Sequence, residues 1–143
     1  MDTSGKKGLV SLKNQKKTIK MKHPMPSVVN LGQNVIGIPN EAYCNKNIIS
    51  VKFNKILKTI GNNAFEKNSI TEVKIPDTVK KIGKLAFANN KLKKVYLPKE
   101  LKIIGKDAFK NNSELEVVHM PSVFAANKYE IFDNNSKIKF VFY

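Results

Sequence analysis

Few side chains in this sequence are of the types that carry out catalysis or bind metals. The only histidines are His23 and His119, and Cys44 is the only cysteine. Catalysis needs a nucleophile, a base and an orienting group at matching spacing, and no such set, phosphate-binding glycine loop or metal-ligand spacing occurs. A single cysteine also excludes an intrachain disulfide and a cysteine-based metal site. We therefore predict a protein that is not an enzyme and that uses no metal or cofactor.

Lysine is the residue type with the clearest capacity to bind something. The 143 residues include 26 lysines, no arginine and 11 acids, for a formal net charge of +15. Such a charge attracts anionic partners such as nucleic acid, acidic glycans, wall polymer or lipid headgroups. The absence of arginine argues against sequence-specific nucleic-acid recognition, because arginine is the usual bidentate reader of guanine. The 17 asparagines beside so many lysines are equally consistent with drift in an AT-rich genome.

Several of these lysines recur every 22 residues, which indicates an internal repeat. Lys58, Lys80 and Lys102 form one such series, and Lys84 and Lys106 form a second. Apolar residues recur with them and divide the chain into repeats at 48–69, 70–91, 92–114 and 115–137, after a degenerate capping unit at 26–47 and before a partial unit at 138–143. Residues 1–25 precede the repeats, and we predict a basic, flexible arm there.

Every unit carries the same apolar positions, of which a pair two residues apart, such as Val73 and Ile75, is the most regular. This spacing indicates a short strand with one buried face, and stacked units would place such strands in a parallel sheet. The units 48–69, 70–91 and 92–114 end in Gly-x-x-Ala-Phe with an asparagine three residues later, and the unit 115–137 keeps the phenylalanine and the asparagine. We expect the glycines to take a conformation that a side chain forbids, and the asparagines to bond the backbone of the adjacent coil. The glycines are Gly61, Gly83 and Gly105, and the asparagines are Asn68, Asn90, Asn112 and Asn135.

These columns resemble the BspA-like, treponemal-type leucine-rich repeat, whose unit reads L-x-x-I-x-I-P-x-x-V-x-x-I-G-x-x-A-F-x-x-(C/N). The resemblance covers about residues 26–143, and residues 70–112 match nearly every position. The departures are Asn54, Asn127, Lys128 and Ile131. The resemblance implies a right-handed leucine-rich-repeat solenoid, with a short parallel β-sheet on one face and turns and short helical segments on the other. It also implies a cell-surface or secreted protein that binds other proteins, often as an adhesin.

Function is expected at the outward positions of this sheet, because the inward positions form the core. The predicted partner-binding residues are Lys52, Lys74, Lys94, Tyr96, His119, Phe140 and Phe142. Tyr96 is the predicted centre, since aromatic residues supply large contact area at interfaces, although an exposed tyrosine is also ordinary in a strand. Exposed phenylalanines at 140 and 142 imply a covering partner, a further repeat, or a register in which they turn inward.

Alternatives to a protein-binding sheet face remain open. The predicted polyanion-binding residues are Lys58, Lys80, Lys102, Lys84 and Lys106, and a merely solvated surface would explain them as well. A spacer within a longer repeat protein and self-association through the open sheet edge at 138–143 are further possibilities. No stretch is apolar enough to span a membrane. Residues 1–25 lack the apolar core of a signal peptide, so either the protein is not exported by that route or the sequence is a piece of a longer secreted chain.

Overall fold

The computed structural model describes residues 9–10 and 27–143. Its strands are β1 (Leu9–Val10), β2 (Ser27–Asn30), β3 (Gly37–Ile38), β4 (Ile48–Lys52), β5 (Thr59–Ile60), β6 (Glu72–Lys74), β7 (Lys81–Ile82), β8 (Lys94–Tyr96), β9 (Ile103–Ile104), β10 (Val117–Met120) and β11 (Lys139–Phe142). A 3-10 helix (Ser122–Asn127) and the short helix α1 (Lys128–Ile131) lie between β10 and β11. The strands pair in parallel through about five turns of chain, which confirms the predicted solenoid.

The predicted arm, residues 1–25, lies outside the described residues except for β1. Leu9 and Val10 pair in parallel with Val28 and Val29 of β2. The sequence predicted no strand at these two residues, and the flexibility of the arm stays a prediction.

Two sides of the solenoid carry parallel sheets. On the front face the strands run β1-β2-β4 and then β6-β8-β10-β11, with no hydrogen-bonded ladder between β4 and β6. The back sheet has the order β3-β5-β7-β9, and each of its strands is two residues long. The helical segments expected on this side are therefore absent from residues 27–114, and helices occur within the described residues only in the unit 115–137.

The turn before each asparagine explains why these units form no helix. The N–H groups of residues 63, 65 and 67 donate to the carbonyls of Lys84, Ala86 and Ala88 in the next coil, at 2.9, 2.8 and 3.0 Å. A helix would direct those N–H groups to carbonyls of its own preceding turn. Left-handed residues at positions such as Asn63 and Lys67, with φ of 59° and 61°, turn the alternate peptide groups toward the neighbouring coil instead.

Close approach of neighbouring coils accounts for the recurrent glycines Gly61, Gly83 and Gly105. A Cβ added to Gly105 would lie 2.3 Å from the backbone nitrogen of Lys84, and one added to Gly83 would lie 2.6 Å from that of Asn62. The expectation that the glycines take a backbone conformation forbidden to other residues is wrong, because the left-handed residues come two positions later. These residues are Asn63, Leu85 and Asp107.

A column of stacked aromatic rings runs through the core. Its members are Tyr43, Phe65, Phe87, Phe109 and Phe132, all fully buried. Successive ring centroids lie 5.2, 5.2, 5.2 and 4.9 Å apart, with interplanar angles of 15° or less. Each unit thus contributes one ring that packs on the ring of the next unit, which places the Ala-Phe motif in the core as the repeat predicts.

Buried asparagine side chains join each coil to the one before it. The Oδ1 atom of Asn90 accepts a hydrogen bond from the N–H of Ile70 at 3.0 Å. Its Nδ2 group donates to the carbonyl of Phe65 in the preceding coil at 2.9 Å and to that of Phe87 at 3.1 Å. The same arrangement is made by Asn68 and Asn112. The prediction that the asparagines bond the backbone of an adjacent coil is confirmed for these three residues, which are called the asparagine ladder below.

Asn135, expected to be the fourth member of the ladder, does not join it. Its Oδ1 atom accepts from the N–H of Lys137, two residues further on, in an exposed turn. In the unit 115–137 the 3-10 helix and α1 replace the second strand and the turn. Asn135 therefore does not lie in line with Asn68, Asn90 and Asn112. Asp133 caps this end of the stack, because its carboxylate accepts from the N–H groups of Asn111 and Asn112 at 3.1 and 3.2 Å.

Replacing one asparagine of the ladder tests how much these hydrogen bonds stabilise the fold. We expect Asn90→Ala to lower the free energy of unfolding by about 3 kcal/mol. The substitution leaves the buried N–H of Ile70 without a partner, and it removes one of the two asparagine hydrogen bonds at the carbonyls of Phe65 and Phe87. Urea denaturation followed by circular dichroism measures the change. The matched control is Asn135→Ala, which removes the same side chain outside the ladder and should cost less than about 0.5 kcal/mol. Equal losses in the two variants would contradict a special role for the ladder.

Replacing Leu85 should raise the stability of the fold instead of lowering it. This residue holds a left-handed φ of 58° in a column where the other coils carry Asn63 and Asp107, and this conformation costs leucine about 1 kcal/mol. Leu85→Asn should therefore raise the melting temperature by a few degrees, as measured by calorimetry. Ile103→Asn is the control, since Ile103 is an exposed aliphatic residue in β9 without such a backbone. A higher melting temperature in both variants would mean that added polarity, and not the relief of backbone strain, causes the change.

Candidate functional site

The register of the front face sets which side chains point outward. Val73, Val95 and Val118 are paired with one another across β6, β8 and β10, and all three are buried. The residues on either side of each valine therefore point away from the core. They form two outward columns, which are Glu72, Lys94, Val117 and Lys139, and beside them Lys74, Tyr96, His119 and Val141.

Tyr96 and His119 form the centre of the front face. Their rings stack with centroids 4.7 Å apart and an interplanar angle of 15°, and both side chains are half-buried. Lys74 lies next to Tyr96 in the same column and is exposed. The structure thus brings together three of the residues that the sequence predicted to bind a partner, and it places exposed Lys94 one column away.

A shallow groove runs along one side of this stack. It is lined by Lys74, Tyr96 and His119, and by residues of the loops that follow β6 and β8. The loop residues are Asp77, Pro98, Lys99 and Glu100. Charges of both signs therefore border a half-exposed aromatic pair, and the groove is open along its length to a chain laid across the strands.

Tyr143 completes the groove and was not predicted to be part of it. Its hydroxyl donates a hydrogen bond to the carbonyl of Leu97, and the Nζ atom of Lys99 lies 5.9 Å from its ring centroid. Burial raises the pKa of the Tyr143 phenol, and the nearby carboxylate of Asp77 raises it further. The repeat spacing predicts an inward pair at Val141 and Tyr143, but Val141 pairs with outward His119 and Tyr143 is 43% exposed. No feature of the sequence distinguishes this position from a core position, because residues 140–143 are all apolar or aromatic.

The predicted outward positions of Phe140 and Phe142 are corrected by the same register. Phe140 pairs with buried Val118 and Phe142 with buried Met120, so both lie in inward columns. Phe140 is half-buried and packs edge-on against Phe132, with ring centroids 5.7 Å apart. Phe142 is 39% exposed because no described coil covers it, and its ring stacks on that of Phe140. The expectation of an outward Phe140 is therefore wrong, and the alternative that the pair turns inward is correct.

Lys52 stands apart from the other predicted residues. It is exposed at the end of β4, where it pairs with Asn30 of β2. A second shallow groove, bounded by Lys52 on one side and Lys74 on the other, marks the break between the two parts of the front face. The front patch is therefore defined here as Lys74, Lys94, Tyr96, His119 and Tyr143.

The two predicted lysine series lie on the other side of the solenoid, next to the back sheet. The N–H of Lys80 donates to the carbonyl of Lys58 at 2.8 Å, and that of Lys102 donates to the carbonyl of Lys80 at 2.9 Å. This backbone ladder confirms that the three lysines stack in one column. Lys84 and Lys106 directly follow Gly83 and Gly105, so they form a parallel column beyond the strands.

The described residues offer little else for chemistry. No group of three histidine, cysteine, aspartate or glutamate side chains that could hold a metal ion occurs at residues 27–143. Cys44 is half-buried, and burial together with the charge of Glu66 raises the pKa of its thiol, which disfavours the reactive thiolate. His23 lies outside the described residues. In the part of the chain that the structure describes, no helix has the length and apolar character to cross a membrane.

Comparison with known proteins gives one match. The family described as BspA type Leucine rich repeat region matches residues 27–143 in six copies, which is the number of units read from the sequence when the capping and partial units are counted. No curated protein and no solved structure matches the chain significantly. The match covers most of the chain and agrees with the observed coils, and the chain therefore belongs to the BspA-type leucine-rich-repeat family.

Proposed function

We propose that this solenoid is a non-enzymatic binding module of the cell surface or the extracellular space, and that it holds a protein partner on the front patch. Repeats of the BspA type generally mediate protein interactions and typically occur in surface proteins. The partner proposed here is a matrix protein or a protein on another cell, bound in the manner of an adhesin.

The stacked pair of Tyr96 and His119 is the observation that carries the proposal. Half-exposed aromatic rings bury large area on binding and lose little conformational entropy. Stacking at 4.7 Å fixes both rings before a partner arrives, which lowers the entropic cost of association. Strands β8 and β10 hold the two backbones in register beneath them, so the surface is preformed.

Charges around the pair favour a polypeptide partner over a partner of one charge sign. Lys74 and Lys94 are exposed beside the rings, and Glu72 is exposed next to both lysines. Asp77 and Glu100 add negative charge along the groove. A protein surface presents charges of both signs, and complementary pairs at the rim orient it and accelerate its encounter with the patch.

A paired substitution tests the front patch. Tyr96→Ala combined with Lys94→Glu should weaken binding to the cognate protein at least tenfold, because it removes an aromatic anchor and reverses a rim charge. Surface plasmon resonance against a panel of purified extracellular-matrix and cell-surface proteins measures the affinities of this variant and of the parent chain.

The matched control combines Tyr129→Ala with Lys91→Glu. Tyr129 is 43% exposed and Lys91 is exposed, and neither belongs to the front patch. The control makes the same changes of size and charge and should leave every affinity within about threefold of the parent. Equal losses in both variants would show that the bound surface lies elsewhere. A panel member that binds the parent and the front-patch variant equally well would contradict the proposal.

A further inference from the structure

The back sheet carries a cationic surface that differs in kind from the front patch. In the three coils formed by residues 48–114, three columns of outward positions border β5, β7 and β9. Their nine members are Lys58, Lys80, Lys102, Thr59, Lys81, Ile103, Asn62, Lys84 and Lys106. Six are lysines and none is an acid, whereas the outward columns of the front face mix both signs.

The lysines of this back surface are closely spaced and largely unneutralised. Stacked coils repeat about every 4.8 Å, so three coils bring six ammonium groups within reach of one ligand. Within the described residues the two ion pairs are Lys102 with Glu100 at 3.8 Å and Lys110 with Asp107 at 3.6 Å. The pair to Lys102 is exposed on both sides, at 66% and 69%, so water screens it and leaves the lysine available to a ligand.

The backbone beneath the lysines is rigid. Hydrogen bonds from Lys80 to Lys58 and from Lys102 to Lys80 fix one column, and close packing of Gly83 and Gly105 fixes the start of the other. An ordered array of like charges loses part of its mutual repulsion when an anionic chain lies along it. The columns run across the coils, along the axis of the solenoid, and therefore match a linear ligand.

We propose that this back surface binds an anionic polysaccharide, laid along the solenoid axis and held by the six lysines. Lysine offers a point charge without the planar fork of arginine, so recognition depends on charge density and spacing. The nine positions include no aromatic residue on which a nucleic-acid base could stack, which favours a sugar polymer over single-stranded nucleic acid. The surface lies on the opposite side from the front patch, so this inference does not rest on the proposed function.

The test uses the full chain with a heparin oligosaccharide and with dextran sulfate as probes. The triple variant Lys80→Gln, Lys81→Gln and Lys84→Gln removes three of the six lysines of the surface, which are all of those in the coil 70–91. We expect its dissociation constant for both probes to rise about tenfold at about 0.1 M NaCl. The slope of the logarithm of affinity against the logarithm of salt concentration should fall by about two, since fewer counterions are released.

A second triple variant gives the matched control. Lys46→Gln, Lys91→Gln and Lys93→Gln remove the same charge from exposed lysines outside the back surface. This control should change the affinity less than about threefold, and circular dichroism should show both variants folded. Equal weakening by the two triple variants would overturn the proposal, since it would mean that overall charge, including the lysines of residues 1–25, does the binding.

Duplex DNA of about 20 base pairs serves as a third probe. If the back-surface variant loses at least as much affinity for DNA as for the sulfated polymers, the ligand class proposed here is wrong. If it loses affinity for the sulfated polymers while DNA binds the two triple variants alike, the assignment to a polysaccharide is supported.

Discussion

Buried asparagine side chains make the interactions on which the rest of this solenoid depends. Every coil turns sharply after its phenylalanine, and a turn inside a core leaves backbone groups that water cannot reach. Asn90 satisfies three such groups in two coils at once, and Asn68 and Asn112 do the same on either side. An amide is suited to this because it donates and accepts at the same time. The aromatic column then packs on turns whose polar groups are already paired.

The 22-residue period made most of this architecture predictable. Positions such as Val73 and Val95 alternate with polar neighbours, and a one-residue slip would expose them, so the register of the middle coils is fixed by the sequence pattern. The last strand lacks this constraint. All of residues 140–143 are apolar or aromatic, so alternation permits two registers. The contact of Phe140 with Phe132 selects the register in which Phe140 and Phe142 lie in inward columns.

The glycine column shows a different limit of sequence reasoning. A recurrent glycine signals either an unusual φ or a close neighbour, and the sequence does not separate the two causes. Here Gly105 is needed because Lys84 of the preceding coil lies too near for a Cβ, while the left-handed positions hold Asn63, Leu85 and Asp107. The sequence pattern predicts the strand residues of the groove around Tyr96, because the alternation that identifies the core positions also identifies the outward ones. Tyr143 reaches it from 46 residues away to bond Leu97, and no periodicity encodes that contact.

The outward positions of the solenoid contribute little to folding, so the residues at these positions can differ between the front and back faces. Lysines in adjacent coils repel by less than about 1 kcal/mol per pair in water, and salt reduces this further. The ladder and the stacked rings tolerate such a cost, so the outward columns are free to vary while the core columns are not. Genome drift would spread lysines over both faces alike. The back positions carry six lysines and no acid, whereas Glu72 and Asp77 interrupt the lysines of the front. This difference in charge is the reason for proposing different ligands for the two faces, because a uniformly cationic surface gains from a polymer of one sign and a mixed surface around an aromatic pair gains from a protein.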